Sequence, residues 1–279
     1  YELKMSNWSL ADSSRYASIG TADYSSGGSV VANRAVNVMG SLVELTAATP
    51  FDSDLCWVHL HSHGTILSGA GTYSFGLVDI LAGPQNSEQV IIPTLMTSHG
   101  IHAGHILYSY YLPLSIRQGT RLTARSQGSF GNQITRVSMT LGANGLAPGS
   151  GFTKVVIYNI NTATTRQTTQ VVAGTNAKGA WAQMGVTTSA TLALLAVRWG
   201  WNNNVTAPTA DFFYDIGIGP AGSEKVLIPD LQFNNLGANG TANPVLGPFP
   251  ANLPIGTRIA VRGAGTSAIT AGFVVIGMA

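Results

Sequence analysis

The chain has 279 residues, and its 14 lysines and arginines against 12 acidic residues leave a net charge of +2. Only 9% of the residues are charged, whereas about 25% is usual for a soluble domain. Because 45% of the residues are hydrophobic, the chain can form a core, which excludes a disordered protein, and its few scattered basic residues exclude a nucleic-acid-binding surface.

Residues 1–36 contain the run Ser25-Ser26-Gly27-Gly28-Ser29 and are predicted to form an N-terminal arm that reaches a neighbour. The first residues show no basic region followed by an apolar core, so no signal peptide is predicted. The longest apolar stretch, residues 263–279, is interrupted by glycine and polar residues. A membrane-spanning helix needs about 20 apolar residues, so no membrane partner is expected.

Short runs rich in Val, Ile, Phe, Tyr, Trp and Thr, separated by Gly, Pro, Asn or Ser, predict β-strands. In the first half these runs are Leu42–Thr46, Leu55–His61, Tyr73–Leu81, Gln89–Leu95, Ile106–Leu114, Arg121–Ser126 and Thr135–Leu141. The second half repeats them, and Leu192–Trp199 is predicted as a strand because it aligns with Leu55–Leu60. Seven or eight strands in each half, with no helical period, predict an all-β fold of two tandem antiparallel, jelly-roll-like β-sandwiches.

The two halves of the sequence are similar to each other. Residues 79–95 and 215–231 are identical at ten of seventeen positions. The same alignment extends downstream, where residues 119–125 match 256–262, and upstream, where residues 40–45 match 179–184. The repeat predicts two homologous domains, at residues 37–145 and 146–279, joined through a linker rich in Gly, Pro and Ser.

Charged residues kept in both halves are assigned to the fold, because an active site is usually retained in one copy of a diverged repeat. They are Asp79, Glu88 and Arg121 in the first half and Asp215, Glu224 and Arg258 in the second. Each acid lies beside a Gly-Pro turn, where its carboxylate accepts backbone N–H groups or pairs with Arg121 or Arg258 across the sheet. The alternative is a glycosidase acid and nucleophile. Duplication favours the structural role, so the chain is predicted not to be an enzyme.

Two further motifs are interpreted as structural. Residues 217–222 fit the dinucleotide fingerprint G-x-G-x-x-G, but they lead into another strand instead of the helix that holds a pyrophosphate. This run is therefore predicted to be a turn. Cys56 is the single cysteine, which excludes an intrachain disulfide, and its apolar strand predicts a buried, unreactive thiol.

Histidine is confined to the first half. His59, His61 and His63 alternate along a predicted strand, so they project from one face and are candidate ligands of a transition-metal ion. The favoured alternative is a polar face or subunit contact without metal or any other cofactor, because one strand cannot surround an ion. A metal site would be completed by the remaining histidines, His99, His102 and His105, or by three chains meeting on an axis. The second arrangement resembles the His-x-His motif of phage tail fibres and spikes, in which symmetry-related histidines hold an iron ion.

The motif Gly-Pro-x-x-Ser-Glu-x-Val-x-Ile-Pro at residues 83–93 and 219–229, with the Gly-Thr-Arg motif that follows each copy, resembles virion proteins of tailed bacteriophages. The resemblance covers roughly residues 37–279. It implies a non-enzymatic component of the virion, such as a head decoration protein, a head fibre or a tail-associated protein. The implied partners are other virion proteins and further copies of the chain, for example in a trimer.

The composition agrees with such a role, because burying Lys or Glu at an interface costs desolvation and side-chain entropy. The alternative is a receptor- or carbohydrate-binding β-sandwich of a virion. Its stacking platforms would come from Trp199, Trp201, Tyr108, Tyr110 and Tyr111, residues that are equally expected in a core. An enzyme such as a polysaccharide depolymerase ranks third.

Overall fold

The computed structural model describes residues 16–20, 29–32, 35–63, 74–99, 106–129, 134–143, 152–185, 187–201, 210–235, 245–266 and 270–279. Within these ranges the fold is all-β, as predicted, with twenty strands and no helix. Accordingly, no helix in the described residues is long and apolar enough to cross a membrane.

The first half forms two sheets. Its strands are β1 (Tyr16–Ile19), β2 (Ser29–Ala32), β3 (Val43–Thr46), β4 (Leu55–His63), β5 (Ser74–Ala82), β6 (Gln89–His99), β7 (Ile106–Leu112), β8 (Leu122–Gly128) and β9 (Ile134–Gly142). One sheet has the order β1-β9-β4-β7, with β2 paired to a neighbouring segment of β9, and the other has the order β3-β8-β5-β6. The sheets β2-β9-β4-β7 and β3-β8-β5-β6 together have the strand order of an eight-stranded jelly roll.

The second half repeats these pairings. Its strands are β10 (Val155–Tyr158), β11 (Ile160–Asn161), β12 (Arg166–Gln167), β13 (Gln170–Thr175), β14 (Ala182–Gln183), β15 (Leu192–Trp201), β16 (Ala210–Ile218), β17 (Lys225–Asn235), β18 (Val245–Leu253), β19 (Ile259–Gly265) and β20 (Thr270–Met278). β15 lies between β20 and β18, and β16 lies between β17 and β19, as β4 and β5 do in the first half. β13 pairs with both β19 and β20 and thereby joins the strands into one nearly closed sheet.

The pairing registers of the halves also correspond. Asp79 lies opposite Arg125 between β5 and β8, and Asp215 lies opposite Arg262 between β16 and β19. Positions matched in this way are called equivalent below. The descent of the two halves from a duplication stays a prediction.

Alternation along the strands separates core from surface. In β9, Val137 and Met139 are fully buried, whereas Ser138 and Thr140 between them are half-buried. The inward side chains meet those of the opposite sheet, such as Ile80, in one hydrophobic core. Burying each such side chain contributes about 1.5–3 kcal/mol.

The two halves contact each other across the second half's outer sheet face. β6 contacts β10, and β7 contacts β18, and these two partners lie on opposite sides of β20 and β15. The side of the first half that carries β6 and β7 therefore lies across this sheet. Every residue of β20 except the first is buried, because one face meets the core and the other meets the first half.

Most of the predicted elements are confirmed. All seven predicted strands of the first half are present, the run beginning at Leu192 is a strand, and residues 219–222 form the turn between β16 and β17. Within the predicted arm at residues 1–36, residues 16–19 and 29–32 form β1 and β2, which pair with β9, and the arm itself stays a prediction. The centre of the predicted linker, residues 144–150, lies outside the described residues, and the domain boundaries stay predictions.

Candidate functional site

Asp79 holds a bulge in the edge strand β6. Val78 and Ile80 lie opposite Leu95 and Ile92, so two residues of β6, Pro93 and Thr94, face the single residue Asp79. Thr94 has a left-handed backbone with φ of 45°. Its N–H donates to Asp79 Oδ1 at 2.8 Å, so the buried carboxylate satisfies a donor that the bulge removes from the strand pairing.

The other oxygen of Asp79 accepts from an arginine. Arg125 Nε donates to Oδ2 at 2.9 Å, although the sequence had suggested Arg121 as the partner. The correction follows from register, since Arg125 is directly opposite Asp79 on β8. The sequence prediction that this carboxylate accepts a backbone N–H is confirmed.

The second half contains the equivalent cluster with one more cation. Asp215 accepts from the Asp230 N–H at 3.0 Å and from Arg262 Nε at 2.9 Å, and here too the partner is not Arg258. Lys178 Nζ adds a bond of 2.8 Å to each of Asp215 and Asp230. Burial raises the pKa of Asp215, but its bonds to the Asp230 N–H, Lys178 and Arg262 outweigh burial and lower this pKa below its ordinary value.

Glu88 and Arg121 form a second cluster at the β5–β6 turn. Arg121 Nη1 donates to Glu88, and Arg121 Nε donates to Glu44 at 2.8 Å. The N–H of Glu88 itself and the Arg121 guanidinium lower the pKa of the Glu88 carboxyl. This is the pairing across the sheet that the sequence predicted.

Glu224 and Arg258 repeat the arrangement at the β16–β17 turn. Arg258 Nη1 lies 2.8 Å from Glu224 Oε1, and its Nε donates to Gln183 at 2.9 Å. Burial raises the pKa of Glu224, but its own N–H and the Arg258 guanidinium more than compensate and lower it. Gln183 takes the place of Glu44, so this cluster holds one negative charge fewer.

The acidic residues of the described ranges are all engaged. Five are in these clusters, namely Asp79, Glu88, Asp215, Glu224 and Glu44, and Asp230 accepts from Lys178. Asp52 accepts from the Gln118 N–H at 2.6 Å, and Asp54 and Asp211 also have partners.

The histidine candidates are only partly within the described part of the chain. His59 and His61 lie on the outward face of β4, where both are half-buried, and this confirms their predicted alternation. The side chains of His63 and His99, and all of His102 and His105, lie outside the description. Among the residues described, no three His, Cys, Asp or Glu side chains form a group that could hold a metal ion, and the metal site stays a prediction.

Both ring nitrogens of His59 face hydroxyl groups. Nδ1 is 2.9 Å from Ser109 Oγ, and Nε2 is 3.4 Å from Thr140 Oγ1. Partial burial lowers the pKa of His59, so the neutral ring is favoured near pH 7. His59 therefore lies among hydroxyl groups on the outward side of β4.

The aromatic candidates divide in two. Tyr108 and Tyr110 are buried, and the Tyr110 hydroxyl donates to the Met96 carbonyl, so these two occupy the core, as the sequence also allowed, and are not exposed platforms. The side chains of Trp199 and Trp201 lie outside the description. Tyr111 is half-buried beside Trp57, with ring centres 5.0 Å apart.

Sequence reasoning missed Trp57 and Tyr16 as surface aromatics. The ring of Tyr16 is 6.5 Å from that of Trp57, and the Tyr16 side chain is among the exposed hydrophobic groups. The alternation of Trp57 with His59 and His61 already placed Trp57 on the histidine face. Tyr16 could not be found, because its sheet position depends on pairing with distant β9.

Cys56 is fully buried on the inward face of β4. Burial raises the pKa of its thiol to about 12. The predicted burial of the thiol is confirmed, and its lack of reactivity stays a prediction.

Comparison of the chain with known proteins reveals little similarity to any of them. No family model matches the chain, and no curated protein sequence matches it. Among solved structures the chain is similar to PNGF-II in space group P21, with a TM-score of 0.38 and 10% sequence identity. That match covers 95% of this chain and 66% of PNGF-II, so the chain spans just under two thirds of that protein. A TM-score this low does not establish a common fold.

Proposed function

We propose that this protein is a non-enzymatic structural component of a tailed-phage virion, which assembles in many copies on the head or tail. Its sequence motifs resemble phage virion proteins, and jelly rolls are recurrent in viral capsid proteins. The acids shared by both halves, Asp79, Asp215, Glu88 and Glu224, bind backbone N–H groups or arginines at bulges and turns, which is compatible with a structural role.

One pair of equivalent positions carries the proposal. Leu77 on the outer face of β5 has no exposed surface, whereas Phe213 at the equivalent position of β16 is 38% exposed. Leu77 lies opposite Gln127, whose amide donates to Thr162 O at 2.5 Å and to Thr165 Oγ1 at 2.7 Å in the second half. The first half is therefore covered where the second half leaves an aromatic ring open.

The exposed ring of Phe213 favours a neighbouring subunit on this surface, because covering the ring would remove apolar surface from water. The contact between the halves joins two different surfaces, which is a head-to-tail contact, and such contacts generate rings or filaments when further copies add. The low charge of the whole chain supports the same role, since interface cores are depleted of charged residues.

The experiment is a measurement of mass and location. We expect purified full-length protein to form a defined oligomer in size-exclusion chromatography with light scattering, and mass spectrometry to detect it in purified particles. Phe213→Ser should weaken the oligomer, whereas Val226→Ser, at an exposed valine of the same half, should not. A strictly monomeric protein that is absent from particles would contradict the proposal.

A further inference from the structure

The outward side chains of β1, β9, β4 and β7 form a surface that we call the β4 face. Its first row is Thr140, Trp57 and Tyr111, its second is Ser138, His59 and Ser109, and its third begins with Arg136 and His61. The face thus changes from aromatic to hydroxyl-bearing to basic along the direction of β4.

Three aromatic rings form one end of the β4 face. Tyr16 and Trp57 are tilted by 34°, and Trp57 and Tyr111 by 55°, so the rings make a curved platform. The Tyr16 side chain fits there because Gly142 has no Cβ, which would lie 3.0 Å from Tyr16 Cε1. Tyr16 is 49% exposed, and rings of this kind offer an apolar surface with a polar edge.

Hydroxyl groups and an imidazole form the middle of the face. Ser109 and Thr140 flank His59 at 2.9 Å and 3.4 Å. A hydroxyl has one donor and two acceptor sites, so one contact with His59 leaves each of them able to bond a ligand. Groups that both donate and accept are complementary to the hydroxyls of a sugar.

Arg136 supplies a positive charge at the far end. Its Nε is buried and has no hydrogen-bond partner among the described residues, and those residues place no carboxylate in an ion pair with it. Four residues of strand separate the Trp57 row from this row, a distance of about 13 Å. A planar guanidinium is suited to bind a carboxylate.

The equivalent face of the second half has a different chemistry. Val155 and Ala196 replace Tyr16 and Trp57, and Val274 and Ile276 replace Ser138 and Thr140; all four are almost fully buried. Apart from the fully buried Arg198 at the position of His59, that face is apolar, and it is covered by the first half. The β4 face is built from aromatic, hydroxyl and basic groups instead, which favours a polar ligand over another protein surface.

We propose that the β4 face binds an oligosaccharide that carries a carboxylate, such as one with a uronic or sialic acid. Trp57, Tyr16 and Tyr111 stack on sugar rings, Ser109, His59 and Thr140 bond to sugar hydroxyls, and Arg136 pairs with the carboxylate. This goes beyond a structural role and adds recognition of a cell surface or capsule to it.

The test is binding of the untagged full-length protein to an array of neutral and acidic oligosaccharides, followed by calorimetric titration of the best ligand. We expect saturable binding of an acidic glycan. Trp57→Ala should weaken it about tenfold or more, whereas Trp57→Phe should retain most of the affinity. Ile255→Ala, at an exposed position of the second half outside the β4 face and the proposed subunit contact, should leave the affinity unchanged.

The contribution of Arg136 has its own signature. Arg136→Gln should weaken binding of the acidic glycan about fivefold but leave its neutral analogue unaffected, and added salt should have the same selective effect. Thermal unfolding of each variant confirms that it is folded.

Three outcomes would overturn the proposal. One is a lack of saturable binding to any glycan, and another is binding that Trp57→Ala leaves unchanged. The third is protection of Trp57 from hydroxyl-radical oxidation without glycan, which would mean that residues 1–15 or a second copy covers the face. Since binding is measured on the purified chain, these outcomes do not depend on whether it assembles into particles.

Discussion

The guanidinium carbon of Arg198 on β15 lies 4.5 Å from the centre of the Tyr108 ring on β7, so a cation of the second half stacks on an aromatic ring of the first. Arg198 is fully buried, and its equivalent in the first half, His59, is half-buried. The same sheet position therefore serves as an internal contact in one half and as surface in the other.

Replacing Arg198 should destabilise the protein strongly. A desolvated cation over an aromatic ring contributes about 2 kcal/mol or more, and Arg198→Ala also removes buried side-chain volume. We expect a loss of at least about 2 kcal/mol in urea unfolding at pH 7. His59→Ala is the matched control and should cost less than about 1 kcal/mol; equal losses would mean that the contact between the halves contributes little.

Removing the carboxylate that holds the β6 bulge should also destabilise the fold. Asp79→Ala leaves the Thr94 N–H and Arg125 without their acceptor, and an unsatisfied buried donor costs about 1–3 kcal/mol. Asp79→Asn keeps an acceptor for the N–H and should cost less. Urea unfolding measures both, with exposed Lys225→Ala as a control expected within about 0.5 kcal/mol of the parent. If Asp79→Asn and Asp79→Ala lower the free energy of unfolding equally, the hydrogen bond from the Thr94 N–H contributes little to stability.

The strained residue of that bulge offers a stabilising change. A threonine with φ of 45° is strained because its branched Cβ crowds the backbone, whereas Asn tolerates the left-handed region. We expect Thr94→Asn to raise the free energy of unfolding by about 0.5–1 kcal/mol. Val90→Asn, at an exposed position of the same strand, should not stabilise. An unchanged or lower stability of Thr94→Asn would show that the strain is relieved in another way.

Stability should fall as the pH is lowered. In the folded protein the pKa values of Asp215, Glu88 and Glu224 are lowered from the ordinary values, which are 3.8 for Asp and 4.5 for Glu. The ionised carboxylates therefore stabilise the fold fully above these ordinary values. This stabilisation is lost as the pH falls through the lower pKa values of the folded state. The lowered pKa of His59 adds a smaller loss that begins below 6.5. Chemical unfolding from pH 8 to pH 3 measures both phases. His59→Asn should abolish only the loss of stability that begins below pH 6.5.

The Cys56 thiol should be unreactive in the folded protein. With a pKa of about 12, almost no thiolate is present at pH 8, and burial blocks the reagent. We expect Ellman's reagent to label Cys56 only at the rate of unfolding, and at once in denaturant. Fast labelling without denaturant would contradict the burial of this residue.

Local patterns predicted the strands because the buried residues alternate, as Val137 and Met139 do. They also predicted the pairing of Glu88 with Arg121, since both residues recur in the repeat. The Asp79–Arg125 pair was missed because cross-strand register, and not nearness to a motif, selects the partner. The role of β1 was missed for a similar reason, because four residues carry too little pattern to predict pairing with a strand more than 100 residues away.

The candidate site shows the same limit. The sequence placed His59 and His61 on one face, but whether that face is open depends on where the other half lies. Equivalent strand positions hold a fully buried Arg198 and a half-buried His59, and only tertiary contacts separate these cases.

The covered position of Leu77 has a consequence for synthesis. The first half leaves the ribosome before the turn that contacts Gln127 beside Leu77, and Tyr108 then lacks the Arg198 that covers it. Translation of the remaining ~136 residues at about 5–20 residues per second takes roughly 7–27 s. For that interval a folded first half exposes Leu77 and Tyr108 to water, and the second half covers them only once it has been made and has folded.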